Sequence, residues 1–363
     1  MESKTKTLKI HPADNLMVAL VDLQAGESVS HGTEIFQLQT AVPAKHKFAL
    51  EAFSTGTEVL LYGVVVGRAT KNIAKGEAVH THNITHDTEA YQVPKKVETQ
   101  SWSPPLRDKY ANRGFLGYHR ADGKVGTENN WLVIPLVFCQ NRNIEELKNS
   151  LLEGLGYEHA DKKVFDLDSL ITKYKAGATQ EELLNEELLT AQKQNPKNPL
   201  FPNIDGIYFL THDGGCGGAT SDAVALCNLL AGYINNPNVA GATVLSLGCQ
   251  HAQISILERA LKRIAPDLQK PVFFMEQQQS TSEPEYLADC IKKTFVGLIE
   301  ADQVARKPAP LSKLTLGLEC GGSDGFSGIS ANPVLGFVSD VIIGQSGAAV
   351  LSEFPELNGV EQE

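Results

Sequence analysis

The sequence has no long apolar run and no apolar segment at its amino terminus. A membrane-spanning helix needs about 20 consecutive, mostly apolar residues, and no stretch of the 363 residues approaches that length. The first seven residues, M-E-S-K-T-K-T, lead directly into a strand-like segment and lack the apolar core of a secretory signal. We therefore expect a cytoplasmic protein with no membrane partner.

Positive charge is also scarce. The chain has 32 Lys and Arg residues against 43 Asp and Glu residues, a formal net charge of −11, which argues against a nucleic-acid or anionic-membrane partner. An anionic small-molecule substrate stays possible, because a local pocket can oppose the net charge. None of the six cysteines forms a C-x-x-C pair, so we expect reduced thiols and no disulfide framework.

The chain does have enough apolar sequence for a sizeable core. A hydrophobic content of 42% with 21% charged residues is typical of a soluble globular protein, and the length exceeds that of one typical domain. Short alternating segments separated by turn residues predict a small β-rich domain over residues 1–93. Residues 94–112, which include W-S-P-P, predict a stiff linker.

After the linker, strand-like and helix-like segments alternate. Strands are predicted at 131–138, 206–211, 242–247, 271–275, 314–318 and 348–352. Helices are predicted at 144–154, 219–234, 252–264, 284–305 and 330–345. This alternation predicts a mostly parallel, doubly wound α/β region, with a peripheral insertion of one or two amphipathic helices at about 160–200. We assign residues 113–310 to a catalytic-type α/β domain and residues 311–363 to the start of a further α/β portion.

Four cysteines stand where a predicted strand ends in a loop: Cys139, Cys216, Cys249 and Cys320. Ligands of an open α/β sheet bind at the carboxyl ends of its strands, so we expect these thiols to reach one crevice. They could bind a soft metal, hold an Fe–S cluster or act as nucleophiles, and their spacing selects none of these roles. Simple burial is the competing interpretation, and it is the one we adopt for the two cysteines inside helices.

Two glycine-rich loops carry the densest polar chemistry. Residues 211–218, T-H-D-G-G-C-G-G, join a strand to a helix, whose N-terminus attracts anions. His212 is the first candidate for a general base, and the backbone at Gly217 is predicted to approach the ligand. Residues 319–328, E-C-G-G-S-D-G-F-S-G, suit a polyhydroxylated ligand. The predicted contacts there are Ser323, Asp324 and Ser327, and a plain surface loop is the alternative.

Histidines are the notable polar residues of the β-rich segment. His80 and His82 alternate by two, which places both on one face of a strand. That geometry suits a divalent metal with imidazole ligands, and His11 is a further candidate ligand. Two exposed histidines on a sheet face explain the pattern equally well. His46 and Lys47 could supply positive charge to an anionic substrate, or could form a solvated basic turn.

These motifs resemble the altronate/galactarate dehydratase family. Three segments resemble its SAF-type β domain: residues 10–15 (I-H-P-A-D-N), 46–50 (H-K-F-A-L) and 73–83, which end in H-T-H-N. Five resemble its catalytic region: residues 117–127 (G-Y-H-R-A-D-G-K-V-G-T), the loop 212–216, residues 247–249 (L-G-C), 277–279 (Q-Q-Q) and 319–333 (E-C-G-G-S-D-G-F-S-G-I-S-A-N-P). The resemblance covers nearly the whole chain apart from about 155–200.

The resemblance implies a hydro-lyase that depends on a divalent metal, Fe²⁺ or alternatively Mn²⁺, and that converts D-altronate to 2-dehydro-3-deoxy-D-gluconate and water. The candidate catalytic residues are His212, Cys216, Cys249 and Cys320. The candidate metal ligands are His11, His80 and His82. The candidate substrate contacts are His46, Lys47, Asn129, Gly217, Ser323, Asp324 and Ser327. We also expect a homo-oligomer.

One departure bears on substrate choice, because Glu128 stands where family members usually carry a basic residue. Two alternatives stay open. Family chains usually continue well past residue 363, so the chain could be a non-catalytic sugar-acid-binding fragment. It could also be an Fe–S hydro-lyase that uses three or four of the strand-end cysteines.

Overall fold

The computed structural model describes residues 5–87, 103–104, 107–157, 161–193, 198–319, 321 and 326–353. The chain forms two compact units. Unit 1 contains residues Met1–Arg113 and Leu314–Glu363, and unit 2 contains residues Gly114–Lys313. Within the described residues, no helix combines the length and the apolar character needed to cross a membrane.

The amino-terminal part of unit 1 is built from short strands, as the alternating sequence predicts. They are β1 (Thr7–Leu8), β2 (Leu16–Ala19), β3 (Ser28–His31), β4 (Glu34–Gln37), β5 (Lys47–Ala49), β6 (Glu58–Leu61), β7 (Val64–Ala69), β8 (Ala78–Val79) and β9 (Ile84–Thr85). They pair antiparallel as β1-β2-β5-β8, β3-β4 and β6-β7-β9. All of β2 is buried, because Leu16 and Met17 point into two different apolar clusters.

Unit 2 follows a short helix, α1 (Arg107–Tyr110). Its strands are β10 (Gly114–His119), β11 (Val125–Gly126), β12 (Asn130–Pro135), β13 (Asp161–Phe165), β14 (Leu189–Lys193), β15 (Gly206–Phe209), β16 (Val239–Ser246), β17 (Val272–Glu276) and β18 (Lys307–Pro310). Its helices are α2 (Asn141–Leu155), α3 (Leu167–Lys175), α4 (Gln180–Leu184), α5 (Thr220–Asn235), α6 (Ile254–Ile264) and α7 (Glu283–Ala301). Most bounds lie within three residues of the predicted ones.

The main sheet of unit 2 is parallel, with strand order β15-β12-β16-β17. Helices α2 and α7 pack on one face and α5 and α6 on the other. The two central strands, β12 and β16, are buried along their whole length, as expected for a sheet with helices on both faces. The doubly wound α/β fold is therefore confirmed.

Smaller elements flank this sheet. Strands β11, β10 and β18 form an antiparallel sheet. One or two helices were predicted for the insertion, and it contains two, α3 and α4, beside the antiparallel hairpin of β13 and β14.

The last described elements belong to unit 1. They are β19 (Thr315–Leu318), α8 (Ala331–Gly344) and β20 (Ala348–Leu351). Among the described residues, β19 and β20 pair with each other and not with the main sheet. Their parallel pairing with a helix between them repeats the local strand–helix–strand pattern, so the sequence signal alone does not show which sheet the strands join.

Trp131 sets the spacing between the main sheet and α7. Its ring is fully buried, and its indole Nε1 donates to Thr243 Oγ1 at 3.1 Å. A Cβ atom at Gly241 or Gly297 would overlap the indole. Because both positions lack a side chain, a Trp fits between the strand and the helix.

We predict that Gly297→Ala destabilises unit 2 by about 1–2 kcal/mol, since overpacking against Trp131 outweighs the helix propensity gained from Ala. Gly232→Ala is the matched control, because this α5 position is open to solvent and nothing lies within 4 Å of the added Cβ. That control should gain about 0.5–1 kcal/mol. Urea unfolding midpoints measure both, and an unchanged or higher midpoint for Gly297→Ala would contradict the packing argument.

Candidate functional site

The strand order places a ligand crevice at one edge of the main sheet. The chain runs from β12 out to β15 and then returns to the far side of β12 at β16, so the winding direction reverses between β12 and β16. Crevices form outside the carboxyl ends of the strands at such a switch point. Cys139 and Cys249 follow the two strands that flank it, and Cys216 follows the neighbouring β15. All three thiols are exposed.

The loop of residues 211–218 links these strand ends. Gly214 accepts a hydrogen bond from the backbone N–H of Phe138 at 3.0 Å, and Gly215 accepts one from Ala252 at 3.0 Å. Gly215 has φ +97° and lies directly on the backbone of Leu136, where a Cβ would overlap the carbonyl oxygen. Glycine is thus required at 215 both for its backbone conformation and for close approach. The loop brings Cys216 to the crevice expected from the sequence.

His212, the predicted base, uses both of its ring nitrogens inside the fold. Nε2 lies 2.9 Å from the carbonyl oxygen of Pro135, and Nδ1 accepts the backbone N–H of Gly214 at 3.1 Å. The ring is therefore the tautomer with its proton on Nε2. In this arrangement its one lone pair is already engaged. The geometry favours a role in holding the loop against β12, and the catalytic role stays a prediction.

Amide side chains form a network beside the thiols. Gln140 donates to Gln277 Oε1 at 2.6 Å and accepts from Asn143 Nδ2 at 2.9 Å. Asn141 donates to the carbonyl oxygen of His212 at 3.0 Å. The side-chain oxygens of Asn141 and Asn143 have no hydrogen-bond partner within the described protein, although both are buried atoms. Buried polar atoms are almost always paired, so these two enclosed acceptors are unusual at this edge of the sheet.

A second amide group orders the loop after β16. Gln250 accepts from the backbone N–H of Gly248 at 2.7 Å and donates to Ser246 Oγ at 2.6 Å. Gln253 donates to the carbonyl oxygen of Gly248 at 3.2 Å. These bonds fix the backbone on either side of Cys249. The next residue but one, His251, is exposed, and no hydrogen bond of its ring occurs among the described residues.

The N-terminus of α5 is less open to an anion than the sequence suggests. Asp222 Oδ2 already accepts the backbone N–H of Ala219 at 3.1 Å, so a carboxylate of the chain itself occupies this end of the helix. Gly217 is exposed, and nothing lies within 4 Å of the position its Cβ would take. Its backbone is therefore accessible, as predicted, but its contact with substrate stays a prediction.

Asn129, a predicted substrate contact, lies at the amino edge of the main sheet and not at the carboxyl edge. It immediately precedes β12 and is fully buried. Its side-chain amide accepts from Arg120 at 2.8 Å and donates to the carbonyl oxygens of Asn203 and Ala301. These bonds leave the amide no access to a ligand.

Glu128, the departure from the family pattern, also lies at the amino end of β12, where it accepts from Asn130 Nδ2 at 2.6 Å. Its charge is therefore not beside the crevice at the carboxyl edge.

The histidines of unit 1 form a stack. The ring centroids of His46 and His80 are 5.4 Å apart, and those of His80 and His82 are 6.1 Å apart, with interplanar angles of 14° and 21°. Residues 80–83 form a turn after β8 rather than the expected strand, because buried Asn83 accepts the backbone N–H of His80 and donates to Ala78. His80 and His82 do lie on the same side of the chain, but the turn places them there and not the alternation of a strand.

Near these rings, Lys47 is half-buried in β5, and burial lowers the pKa of its ammonium group.

His11 lies apart from that stack in a second polar group of unit 1. Its ring packs over Gly63, and its backbone N–H donates to Asp14 Oδ2 at 2.9 Å. Asp14 is buried, and its other oxygen accepts the N–H of Gly63 at 2.8 Å. Burial, together with the charge of Asp14, raises the pKa of Tyr62.

The described histidines do not fit a metal site as they stand. Ligand lone pairs must converge on one point about 2.0–2.2 Å from each ligand atom, whereas the in-plane lone pairs of stacked rings run side by side. No group of three His, Cys, Asp or Glu side chains that could hold a metal occurs in the part of the chain that the structure describes. The metal-binding roles of His11, His80 and His82 stay predictions.

The glycine-rich loop 319–328 is described only in part. Cys320, Ser323 and Asp324 lie outside the described residues. Lys45 Nζ lies 5.7 Å from the ring centroid of Phe326, and a Cβ at Gly328 would overlap the Tyr62 hydroxyl. The loop segment that contains Ser327 therefore runs along the polar turns of the β-rich part of unit 1.

The sequence reasoning missed the amide network. Its signal was present in the polar run Q-N-R-N directly after the first cysteine and in Q-H directly after Cys249. Amides that follow a buried strand fall at the same edge as the cysteine before them.

The fold and crevice define an α/β protein of the doubly wound class, joined in one chain to a β-rich SAF-type segment. Three family models match it in order: "Altronate/galactarate dehydratase SAF domain" at residues 5–87, "D-galactarate dehydratase/Altronate hydrolase, second domain" at 117–302, and "D-galactarate/Altronate dehydratase, C-terminal" at 311–363. The chain belongs to the altronate/galactarate dehydratase family, and the resemblance seen in the sequence is confirmed.

Curated relatives support the same assignment. Altronate dehydratases of Escherichia coli strain K12 and Bacillus subtilis strain 168 are each 31% identical to this chain over 358 residues, 98% of its length. Galactarate dehydratase (L-threo-forming) of Escherichia coli strain K12 is 26% identical over 96% of the chain. The chain spans 61% of the length of the two altronate dehydratases and 59% of the third protein.

We predict that limiting iodoacetamide at neutral pH modifies the three carboxyl-edge cysteines well before Cys227 and Cys290. Burial raises the pKa of Cys227 to about 11 and that of Cys290 to about 12. Thiolate is the reactive form, so Cys227 should react on the order of 100-fold, and Cys290 on the order of 1,000-fold, more slowly than in unfolded protein. Peptide mass spectrometry gives the rates, with urea-unfolded chain as the control. Equal rates at all five positions in the folded protein would contradict the placement of these thiols.

Proposed function

We propose that this chain acts in the dehydration of a sugar acid, with D-altronate converted to 2-dehydro-3-deoxy-D-gluconate and water. The observation that carries the proposal is the match to two altronate dehydratases over 98% of the chain, which runs through both units. D-Altronate is preferred to galactarate because the galactarate dehydratase is less similar, at 26% identity.

The carboxyl edge of the main sheet supports a polyhydroxylated ligand. The unpaired amide oxygens of Asn141 and Asn143 are acceptors, and the hydroxyl groups of an aldonate are donors that would satisfy them. The exposed thiols of Cys139, Cys216 and Cys249 surround the same strand ends. Neutral amides discriminate ligands by hydrogen-bond geometry and not by net charge, as recognition of a hydroxylated carbon chain requires.

The reaction needs two proton transfers. A base removes the proton next to the carboxylate, and an acid protonates the β-hydroxyl as it leaves as water. We propose that His212 positions the loop, because both ring nitrogens are engaged, and that exposed His251 moves a proton at the crevice. The first assignment from the sequence, His212 as the base, is the competing proposal.

Other predicted contacts remain proposals for unit 1. We propose that half-buried Lys47 and its neighbour His46 bind the substrate carboxylate. We propose that the Ser327 hydroxyl forms a hydrogen bond with the substrate. We also propose a requirement for a divalent cation, Fe²⁺ or Mn²⁺. The roles of His11, His80 and His82 as its ligands stay predictions, so no step of the reaction is derived through the ion.

The proposed activity predicts that the chain, incubated without oxygen with Fe²⁺ and D-altronate, forms a 2-dehydro-3-deoxy product. Galactarate and D-gluconate serve as comparison substrates, and EDTA followed by re-addition of Fe²⁺ or Mn²⁺ tests the cation requirement. Retained binding of D-altronate without product would favour a sugar-acid-binding module. Acid-labile sulfide at cluster stoichiometry would instead favour the Fe–S hydro-lyase.

A pair of variants separates the two histidine roles. We expect His251→Gln to lower kcat by about 10²-fold or more with a smaller change in KM, as for loss of a proton-transfer group. His212→Gln should change kcat and KM together and speed alkylation of Cys216, because the loop is released. A loss of kcat in His212→Gln with unchanged Cys216 reactivity and a lost acidic limb of the pH–rate profile, where protonation of the base slows the reaction, would restore His212 as the base.

A further inference from the structure

A cavity of about 360 Å³ lies at the opposite edge of the main sheet. It is bounded by the turn between β10 and β11, the end of α5, the connection from α6 to β17 and the end of α7. These segments lie at the amino ends of β16 and β17, whereas the cysteine loops follow the carboxyl ends. Eight residues of β16 separate the two edges, which corresponds to roughly 25 Å.

Two cations of this cavity have only neutral hydrogen-bond acceptors. Arg120 donates to the carbonyl oxygen of Pro237 at 2.7 Å, to Asn129 Oδ1 at 2.8 Å and to the carbonyl oxygen of Glu128 at 3.2 Å. Lys270 donates to the carbonyl oxygens of Ile234 and Asn236 at 3.1 and 2.5 Å. Neither cation forms an ion pair with a described carboxylate.

The end of α5 explains part of this arrangement. A cation near the last carbonyls of a helix is favourable, and those carbonyls take two of the three protons that an ammonium group can donate. The third donor of Lys270 has no acceptor among the described residues. Arg120 and Lys270 also repel each other. Burial is the main cause that lowers the pKa of Lys270 to about 7, and this repulsion is the second.

Other charged groups line the same cavity. Asp122 forms an ion pair with Lys124 at 2.8 Å, and it partly offsets the positive charge near Lys270. Asp267 comes from the α6–β17 connection, Glu300 from α7 and His119 from β10. Apolar side chains complete the wall: Ile264, Pro266, Leu268 and Val304. The cavity thus offers half-buried positive charge beside an apolar surface, and its volume is within the range of about 300–1,000 Å³ typical of small-molecule sites.

We propose that this cavity is a second binding site, specific for a small organic oxyanion whose carboxylate or phosphate group accepts a hydrogen bond from Lys270. The carbon body of the ligand lies against the apolar wall. An anion supplies the charge partner that Arg120 and Lys270 lack, and a cation partly removed from water is more stable when such a partner is present. The proposal does not depend on the reaction at the carboxyl edge. It also assigns a binding role to the motif of residues 117–127, which contributes side chains to this cavity and lies far from the carboxyl edge.

The test is calorimetric titration of the full chain with two matched pairs of compounds. D-Gluconate and D-glucitol differ in the carboxylate, and D-glucose 6-phosphate and D-glucose differ in the phosphate. We expect at least one anion to bind and its neutral partner not to bind, and the pair that succeeds identifies the head group. No binding of either anion at millimolar concentration, or equal binding of a neutral partner, overturns the proposal.

Two variants that should change the anion affinity in opposite directions assign the binding to this cavity. Lys270→Met should weaken the anion at least about tenfold, through loss of a charge-assisted hydrogen bond. Asp122→Asn should strengthen it several-fold, because it removes a negative charge and keeps an oxygen for the backbone N–H of Lys124. Circular dichroism checks that each variant is folded. If Lys270→Met does not fold, the Asp122→Asn result decides alone, and unchanged affinity in either folded variant places the anion elsewhere.

The pH dependence gives an independent readout. The bound anion requires the charged ammonium group of Lys270, and the free group loses its proton as the pH rises through about 7. Affinity should therefore be higher at pH 6 than at pH 8.5. His119 also lines the cavity, and His119→Gln should keep the dependence while Lys270→Met removes it. A dependence that follows His119 instead contradicts the role of Lys270.

Discussion

The two central strands of the main sheet are buried on both faces, and this constraint decides where polar chemistry can take place in unit 2. Strands β12 and β16 carry apolar side chains toward both layers of helices. A buried polar side chain costs free energy unless it is fully paired. Polar groups inside these strands are paired, as Thr243 is with Trp131 and Thr294, and groups that can meet a ligand lie at the two edges where strands enter and leave the sheet. The edges differ in character, with thiols and neutral amides at the carboxyl edge and cations at the amino edge.

Much of this arrangement could be predicted from the sequence, because alternation of apolar runs and amphipathic segments is a local signal. That signal located the helices and strands and identified the cysteines at strand ends. The order of strands within the sheet is not local, so the pairing of β19 with β20 alone was not predictable from alternation. Asn129 shows that a motif alone does not tell at which edge of the sheet a residue lies. It follows a glycine-containing motif, but it precedes a strand, and a residue before a parallel strand lies at the amino edge.

The predicted site residues were harder to judge, since residue type does not reveal which partners a side chain has already found. His212 has the chemistry of a base, yet two backbone groups occupy its ring. His80 and His82 were expected on a strand, and a turn stabilised by Asn83 places them together instead. Sequence patterns show which groups are available to a site. Hydrogen-bond partners, which depend on the whole fold, determine how many of those groups remain free to act.

The contact between Trp131 and the two glycines links three positions that are far apart in the chain. Residues 131, 241 and 297 come from two strands and a helix, and the volume of one indole is shared among them. A relative with a smaller side chain at position 131 has room for a methyl group at 241 or 297, whereas a relative that keeps Trp does not. These three positions should consequently vary together during evolution. The distance between α7 and the sheet is therefore expected to change only when two of these three positions are substituted together.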